Sequence, residues 1–349
     1  MKGSQLNKFV ARLTFPHFDS VPQSYFLGHH RSGLEKMKSM LSSIDFVIEC
    51  RDFRSPITSV NPMFEEALGE KPRLIVHTKY DLGGKGRKHR RTKEALRHFN
   101  RGKPIFYADI HHPNCLGPMI EHLKYYASGA DKLVPYRGIV VGMPNVGKSS
   151  IINSLRNIGM HKAKAARTGN HPGITRKIGG PIKIVEREGS SSIYVLDTPG
   201  VFVPFMPDAD RMLKLALCGC VKDGLIPPTI LADYLLFHMN KHSPLYYEKW
   251  SEPTNDIIAL LDSYARKNGF IIKGGLPNTE LAAVNLVHKW RTGQLGKFLL
   301  DDVLGDSGQL QMTMEKEASP VSLNKLRKVE KEWRTQAGKQ RITEKGYHD

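Results

Sequence analysis

The sequence is poor in cysteine, in acidic residues and in long apolar runs, and each shortage excludes a class of protein. Four cysteines without a C-x-x-C pair argue against a disulfide-stabilised secreted scaffold and indicate a reducing compartment. No apolar run approaches the length of a transmembrane helix. The 34 acidic residues face 52 lysines and arginines, which leaves a net charge of +18. This excess predicts a polyanionic partner, in the first place nucleic acid, with an anionic membrane surface as the alternative.

What the chain does contain is a phosphate-binding loop near its middle. Residues 142–149, Gly-Met-Pro-Asn-Val-Gly-Lys-Ser, match the pattern G-x-x-x-x-G-K-[ST], between a predicted buried strand and a predicted helix start. Backbone N–H groups of such a loop surround nucleotide phosphates, and the helix N-terminus adds partial positive charge. We expect Lys148 to contact the outer phosphates and Ser149 to bind Mg²⁺. Further nucleotide contacts are expected from Asn145, Val146, Gly147 and Ser150.

A second motif, Asp197-Thr198-Pro199-Gly200, follows another predicted strand later in the chain. An aspartate at a strand end, downstream of a phosphate loop, is placed to hold Mg²⁺ through water. The N–H of Gly200 is placed to contact a γ-phosphate. In the intervening glycine-rich segment, Thr175 is our candidate for a switch threonine that binds Mg²⁺ in the triphosphate state and contributes to catalysis; an ordinary loop threonine is the alternative.

The base is predicted by Thr78-Lys79-Tyr80-Asp81, which follows a predicted strand at 73–77. A carboxylate such as Asp81 can accept two hydrogen bonds from the N1–H and N2–H₂ edge of guanine, whereas adenine has no such donor pair. The stem of Lys79 can lie over the ring. Thr78 stands where asparagine usually opens this motif. Ala108 has the position expected of a residue whose N–H contacts the guanine oxygen.

The guanine motif precedes the phosphate loop, an order that circular permutation explains. In this order the motifs resemble the circularly permuted GTPases of the RbgA (YlqF) group. Residues 52–56 (Asp-Phe-Arg-Ser-Pro) with 61–62 (Asn-Pro), residues 26–29 (Phe-Leu-Gly-His) and residues 291–297 resemble further motifs of that group. Phe53 and Leu27 depart from its pattern. The resemblance implies a role in assembly of the large ribosomal subunit, and the mitochondrial members match best.

The resemblance also bears on catalysis. Small GTPases use a glutamine shortly after D-x-x-G to orient the attacking water. Val201 and Phe202 occupy this region here, and neither side chain can do so. The resemblance implies His29 as a candidate catalytic residue that positions the water, with a structural histidine as the alternative. It also implies that Asn145 coordinates K⁺.

We therefore predict an α/β fold, with a P-loop GTPase domain built on a circularly permuted, doubly wound, mostly parallel sheet, followed by a small α-helical domain. The predicted units are a basic segment at 1–24, the GTPase domain at 25–206, the helical domain at 207–305 and a polar basic tail at 306–349. The basic segment is either a mitochondrial targeting signal or an ordinary N-terminus. In the helical domain, one helix is predicted to run to Val221 and another to be capped by Thr229.

The predicted function is a GTP-hydrolysing assembly factor for the mitochondrial large ribosomal subunit, slow until the ribosome activates it. Its cofactors are GTP or GDP, Mg²⁺ and K⁺. Its partners are the rRNA and the ribosomal proteins of that subunit. The predicted compartment is the mitochondrial matrix, with a peripheral association with the inner membrane. The basic run from Lys85 to Lys103 is predicted to contact rRNA phosphates, with a solvated loop as the alternative. A cytosolic or nuclear assembly GTPase and a membrane-surface regulatory GTPase are the other interpretations.

Overall fold

The computed structural model describes residues 9–16, 18, 20–22, 25, 28–69, 71–100, 102–129, 134–166, 168, 178–186, 192–203 and 208–305. Thr175, the side chain of His29 and the tail from 306 onward lie outside this description. In the described part, one sheet is followed by a set of helices. None of the helices described is long and apolar enough to cross a membrane.

The sheet has six strands in the described part of the chain: β1 Phe46–Asp52, β2 Arg73–Thr78, β3 Ile105–Tyr107, β4 Tyr136–Gly142, β5 Ile182–Val185 and β6 Ile193–Asp197. Their order is β3-β2-β1-β4-β6-β5. All neighbouring pairs are parallel except β5 with β6, which closes one edge antiparallel. The predicted α/β class and the mostly parallel sheet are confirmed.

Helices cover both faces of the sheet. They are α1 Gly28–Met40, α2 Met63–Leu68, α3 Arg87–Phe99, α4 Gly117–Ser128 and α5 Lys148–Met160. Side chains alternate between the faces of a strand. Val47 of β1 accordingly belongs to the core cluster that contains Leu34 of α1, whereas its neighbour Ile48 belongs to the cluster that contains Leu123 of α4 and Ile152 of α5. Burial on both faces explains why the central strands are continuous apolar runs.

The chain reverses its direction of travel across the sheet between β1 and β4. It runs outward through β2 and β3, and then returns past β1 to form β4 and the strands beyond it. Ligands of doubly wound sheets bind at such a switch point, beyond the carboxyl ends of the strands. Here those ends are Asp52 and Gly142, which opens the phosphate loop.

The described chain after β6 is helical, with α6 Ala209–Leu217, α7 Pro228–His242, α8 Ile257–Asn268 and α9 Thr279–Arg291. Two local predictions were wrong. α6 ends at Leu217, before Val221, because the chain turns at Gly219 with a left-handed φ of 81°. α7 begins at Pro228, whose fixed φ suits the first helical position, so Thr229 lies inside the helix. The boundaries predicted between units remain predictions.

Residues 9–16, from the predicted N-terminal segment, lie against α7. The Arg12 guanidinium donates to the Asp233 carboxylate at 3.1 Å, and the Arg12 N–H donates to Asn255 Oδ1 at 3.3 Å. The Phe15 ring meets the Tyr234 ring edge-on at 5.0 Å between centroids. This part of the segment is therefore packed on the folded body.

Candidate nucleotide-binding site

The phosphate loop is held in a conformation that glycine alone permits at two positions. Gly142 has a φ of 150°, and a Cβ there would lie 2.5 Å from the Cys50 carbonyl oxygen. Gly147 has a φ of 98° at the start of α5. A Cβ on Gly200 would lie 2.4 Å from the Cα of Pro144, so the D-T-P-G segment passes directly over the loop. The two predicted phosphate-contacting segments are thus brought together.

Lys148 is buried, and its ammonium donates to the Met143 carbonyl oxygen at 2.8 Å. Burial lowers the pKa of Lys148 from its ordinary value, while the nearby Asp197 carboxylate opposes that shift. The Lys148 ammonium therefore binds a carbonyl oxygen of its own loop. A phosphate oxygen could replace the carbonyl as its acceptor, as the sequence predicts.

The two predicted Mg²⁺ ligands of the described part lie in direct contact. The Ser149 hydroxyl donates to Asp197 Oδ2 at 2.6 Å. Ser149 follows the carboxyl end of β4 and Asp197 is the last residue of β6, and these strands are neighbours in the sheet. A hydroxyl and a carboxylate are hard oxygen donors of the kind that Mg²⁺ prefers. The donor set fits Mg²⁺, although the third predicted ligand, Thr175, lies outside the described residues.

The guanine motif continues from β2 into a short 3₁₀ turn at Tyr80–Leu82. The Thr78 hydroxyl donates to the Val146 carbonyl oxygen at 2.6 Å, and the Lys79 ammonium donates to the Asn145 carbonyl oxygen at 3.0 Å. Asp81 is half-buried, and no hydrogen bond or ion pair within the described residues engages its carboxylate. Two residues of the motif thus brace the phosphate loop, and the third presents an acceptor pair suited to guanine.

Ala108 lies beside the guanine motif, because its carbonyl accepts the Tyr80 N–H at 3.1 Å. Its own N–H donates to the His77 carbonyl oxygen at 2.8 Å. The predicted contact from this N–H to guanine therefore requires that bond to be shared or replaced. The sequence did not indicate that the Ala108 N–H already donates to a backbone carbonyl oxygen.

Asn145 makes a contact that the sequence did not predict. It has a positive φ of 55°, and its side-chain Nδ2 donates to the Gly219 carbonyl oxygen at 3.2 Å. Gly219 belongs to the turn after α6. Asn145, which is predicted to coordinate K⁺, therefore also joins the phosphate loop to the helices that follow β6.

Three further residues near the site had no role assigned from sequence. Asp52 and Arg54 form a buried ion pair at 2.8 Å beside Lys79. Asn61 donates through Nδ2 to the Val201 carbonyl oxygen at 2.9 Å, which fixes the chain just after Gly200. The only sequence signal for these residues was the resemblance of 52–56 and 61–62 to family motifs.

The segment after Gly200 places its side chains in the core. Val201 and Phe202 are fully buried, Val201 in the cluster around Leu34 and Phe202 edge-on to the Tyr25 ring at 5.6 Å. This agrees with the expectation that neither side chain orients water. Residue 29 lies on α1, whose Gly33 faces Pro199, since a Cβ at Gly33 would lie 3.7 Å from Pro199 Cβ. The role of His29 stays a prediction.

The basic run is largely a helix and not a loop, but it is solvated, so its contact with rRNA remains a prediction. Thr92 and Leu96 are buried and anchor the helix, while most of its basic residues face solvent. The exposed basic residues on it are Arg87, Lys88, Arg90, Arg91, Arg97 and His98. Within the described part of the chain, no carboxylate pairs with the exposed arginines of α3. The result is a concentrated positive surface directly after the guanine motif.

Comparison with known proteins places this geometry in a family. The family model described as "50S ribosome-binding GTPase" matches residues 137–268. Mitochondrial GTPase 1 of Schizosaccharomyces pombe is 36% identical over 331 residues, which cover 88% of this chain and 97% of that protein. The chain belongs to the mitochondrial GTPase 1 family. It is therefore a GTPase, which binds GTP and GDP and hydrolyses GTP, as the motifs predicted.

Other members and a solved structure support this family assignment. Mitochondrial ribosome-associated GTPase 1 of Bos taurus is 35% identical over 319 residues, covering 83% of this chain and 92% of that protein. The crystal structure of GNP-bound YlqF from T. maritima covers 76% of this chain and 96% of its own, with a TM-score of 0.53 and 23% identity. That structure shows the shared fold, and the predicted resemblance to the circularly permuted YlqF group is confirmed.

Proposed function

We propose that this member of the mitochondrial GTPase 1 family assembles the large subunit of the mitochondrial ribosome. It binds the rRNA and pre-ribosomal particles in a nucleotide-dependent way. The observation that carries the proposal is the positive surface of α3, which begins a few residues beyond Asp81. The names of relatives support it, since one is called ribosome-associated and the matching family model is called ribosome-binding.

The α3 surface suits RNA phosphates better than base edges. Arg87, Arg90 and Arg91 are exposed and can form bidentate contacts with phosphate oxygens. In the described helix, His98 near the C-terminal end is the only exposed aromatic ring on which an unpaired base could stack. At its inner side, the Lys93 ammonium lies 4.4 Å from the ring centroid of Tyr107, which ties the helix to the guanine-binding edge of the sheet. RNA on α3 would therefore lie beside the bound nucleotide.

The hydrolysis site is proposed to combine residues from both predicted phosphate segments. Mg²⁺ would be held by Ser149, Thr175 and Asp197, and Lys148 would stabilise charge on the transferred phosphoryl group. Thr175 and His29 complete the proposed catalytic set, with His29 positioning the water. Turnover would be slow until the ribosome completes the site.

K⁺ at Asn145 is a separate proposal. It predicts faster hydrolysis in K⁺ than in Na⁺ at equal ionic strength.

Replacing His29 with alanine should cut single-turnover hydrolysis while sparing nucleotide binding. Unchanged single-turnover hydrolysis would contradict the role of His29.

The proposed compartment is the mitochondrial matrix, with ribosomal proteins as further partners and a peripheral association with the inner membrane. Two relatives carry the word mitochondrial in their names, which supports this compartment. Crosslinking the protein to RNA in cells and mapping the contacted transcripts tests it. Mitochondrial large-subunit rRNA is expected, whereas cytosolic or nuclear rRNA would favour the alternative compartments.

The decisive experiment reverses the charge of α3. A triple variant, Arg87→Glu, Arg90→Glu and Arg91→Glu, should lose most affinity for large-subunit rRNA and show a salt slope shallower by about 2 for three lost phosphate contacts. GTP binding should be unchanged. The matched control reverses Lys249, Arg266 and Lys273, which are exposed basic residues elsewhere, and should bind RNA normally. Equal RNA binding by the two triple variants would contradict the proposal.

A further inference from the structure

Arg54 lies buried, with 1% of its surface exposed, where the sheet meets the helices that follow it. Its guanidinium donates to the Asp52 carboxylate through Nε at 3.0 Å and through Nη2 at 2.8 Å. The same group donates to the carbonyl oxygens of Cys218 at 3.1 Å and Arg291 at 3.3 Å. One side chain next to the nucleotide site therefore holds the ends of both α6 and α9.

Asp52 is also bound by the lysine of the guanine motif. The Lys79 ammonium donates to Asp52 Oδ2 at 2.9 Å and to the Asn145 carbonyl oxygen at 3.0 Å. Burial would by itself raise the pKa of Asp52, but the charges of Arg54 and Lys79 hold it well below its usual range. Lys79, Asp52 and Arg54 thus form a continuous charged chain from the guanine motif to the helices.

A second connection reaches the same turn from the phosphate loop. Asn145 Nδ2 donates to the Gly219 carbonyl oxygen at 3.2 Å, next to the Cys218 carbonyl that Arg54 binds. A Cβ on Gly219 would lie 3.1 Å from Asn145 Nδ2. Because Lys79 contacts both Asp52 and the Asn145 carbonyl, it lies at the junction of the two connections.

We propose that Arg54 is a positioning residue that couples guanine-nucleotide binding to the placement of α6–α9, through Lys79, Asp52 and the turn at Cys218 and Gly219. The inference rests on the proposed nucleotide site, where Lys79 lies along the guanine ring. A bound base changes how the Lys79 ammonium is shared between its two acceptors. In a buried network, that change alters the hydrogen bonds of every member. The planar fork of Arg54 makes two hydrogen bonds to the carboxylate and one to each of two carbonyls, whereas the ammonium of lysine has only three N–H donors, so lysine cannot replace it.

Trp290 supplies a reporter of this coupling. The Arg54 guanidinium carbon lies 4.8 Å from the Trp290 ring centroid, and Trp290 is buried at the end of α9. Replacing the other two tryptophans, Trp250 and Trp333, with phenylalanine leaves Trp290 as the single indole. In the full-length protein, its emission should change on titration with GDP, with the midpoint measured independently by displacement of a fluorescent GDP analogue.

The variant Arg54→Lys in this background should still bind GDP, with a dissociation constant changed by no more than about tenfold, but should lose the Trp290 response. Gly219→Ala tests the same turn from the helical side and should also weaken the response, because alanine is strained at its φ of 81°. This second variant decides the question if Arg54→Lys fails to fold. Arg266→Lys, a matched change at an exposed arginine of α8, should leave the response intact.

Two results would overturn the coupling. One is a full Trp290 response in both variants. The other is the absence of any response in the single-tryptophan protein although GDP binds to it. Failure of GDP to bind that protein would instead contradict the proposed nucleotide site, and the inference would fall with it.

Discussion

The hydroxyl of Thr78 donates a hydrogen bond of 2.6 Å to the carbonyl oxygen of Val146. This bond ties the guanine motif to the phosphate loop across a long stretch of sequence. The same hydroxyl lies 3.2 Å from the Arg51 carbonyl oxygen. Thr78 is fully buried, so these contacts replace water for a hydroxyl that would otherwise be costly to bury. Threonine at this position therefore provides the connection between the two loops through its hydroxyl.

Replacing Thr78 with valine keeps the shape and removes the hydroxyl. We expect GDP affinity to fall roughly tenfold, because the buried Val146 carbonyl loses a partner at a cost of about 1–3 kcal/mol. Isothermal titration with GDP measures the change. Thr78→Ser retains the hydroxyl and should bind within about threefold of the parent protein. Equal losses in both variants would show that the methyl group, not the hydrogen bond, matters.

Asp81→Asn tests the choice of base. Asparagine presents a donor where guanine N1–H needs an acceptor, and it lacks the charge that strengthens the two bonds. We expect affinity for GDP to fall about a hundredfold or more, since a hydrogen bond to a charged group contributes about 1.5–3 kcal/mol. Competition between a fluorescent GDP analogue and unlabelled GDP or ADP measures both affinity and preference. Asp262→Asn, at a half-buried aspartate of α8, is the control. A variant at Asp81 that still prefers GDP would contradict the assignment.

Arg12→Met tests the packing of the N-terminal segment. The change leaves Asp233, which is 8% exposed, without its bidentate partner, and should lower the free energy of unfolding by about 1–3 kcal/mol. Chemical unfolding measures it. Arg266→Met removes an exposed pair with Asp262 and should cost about 0.3–0.5 kcal/mol.

The same packing bears on maturation. Because Arg12 and Phe15 belong to the folded body, we expect the mature protein isolated from mitochondria to retain residues 9–16. Mass spectrometry of its N-terminus measures this. A mature chain that starts after Phe15 would contradict the prediction.

Two buried histidines predict how stability depends on pH. Burial lowers the pKa of His77 to about 3, and burial with the nearby Lys214 charge lowers the pKa of His238 to about 3. Unfolded histidine titrates near pH ~6.5, so below that pH the unfolded chain binds protons that the folded chain excludes. Stability is therefore expected to fall as the pH drops from about 6.5 toward 3, by up to about 1.4 kcal/mol per unit for each histidine.

His77→Phe isolates one of these contributions. Among the residues that the structure describes, neither ring nitrogen of His77 has a hydrogen-bond partner, and the ring stacks on Tyr107, so phenylalanine fits the chemistry of the site. Between pH 6.5 and 5, this variant should lose about 2 kcal/mol less stability than the parent protein. Urea unfolding at the two pH values measures the difference. An unchanged pH dependence would show that His77 is not neutral in the fold.

The strands and the phosphate loop could be predicted because their causes are local. Gly142 and Gly147 adopt backbone conformations with positive φ that other residues rarely reach, so glycine at these positions itself indicates the conformation. Apolar runs such as 138–141 identify strands that are buried on both faces. The end of α6 was missed, since a left-handed turn at Gly219 interrupts an apolar pattern that continues to Val221.

The sequence by itself predicted the nucleotide chemistry of this protein: a phosphate loop, three candidate magnesium ligands, a carboxylate suited to guanine and an excess of positive charge. Tertiary structure alone decided how those parts are joined. The contacts of Thr78 with Val146, of Asn145 with Gly219 and of Arg54 with Cys218 connect residues far apart in the chain. Such contacts depend on strand order and on the placement of the helices. Neither can be predicted from the periodicity or the composition of the sequence.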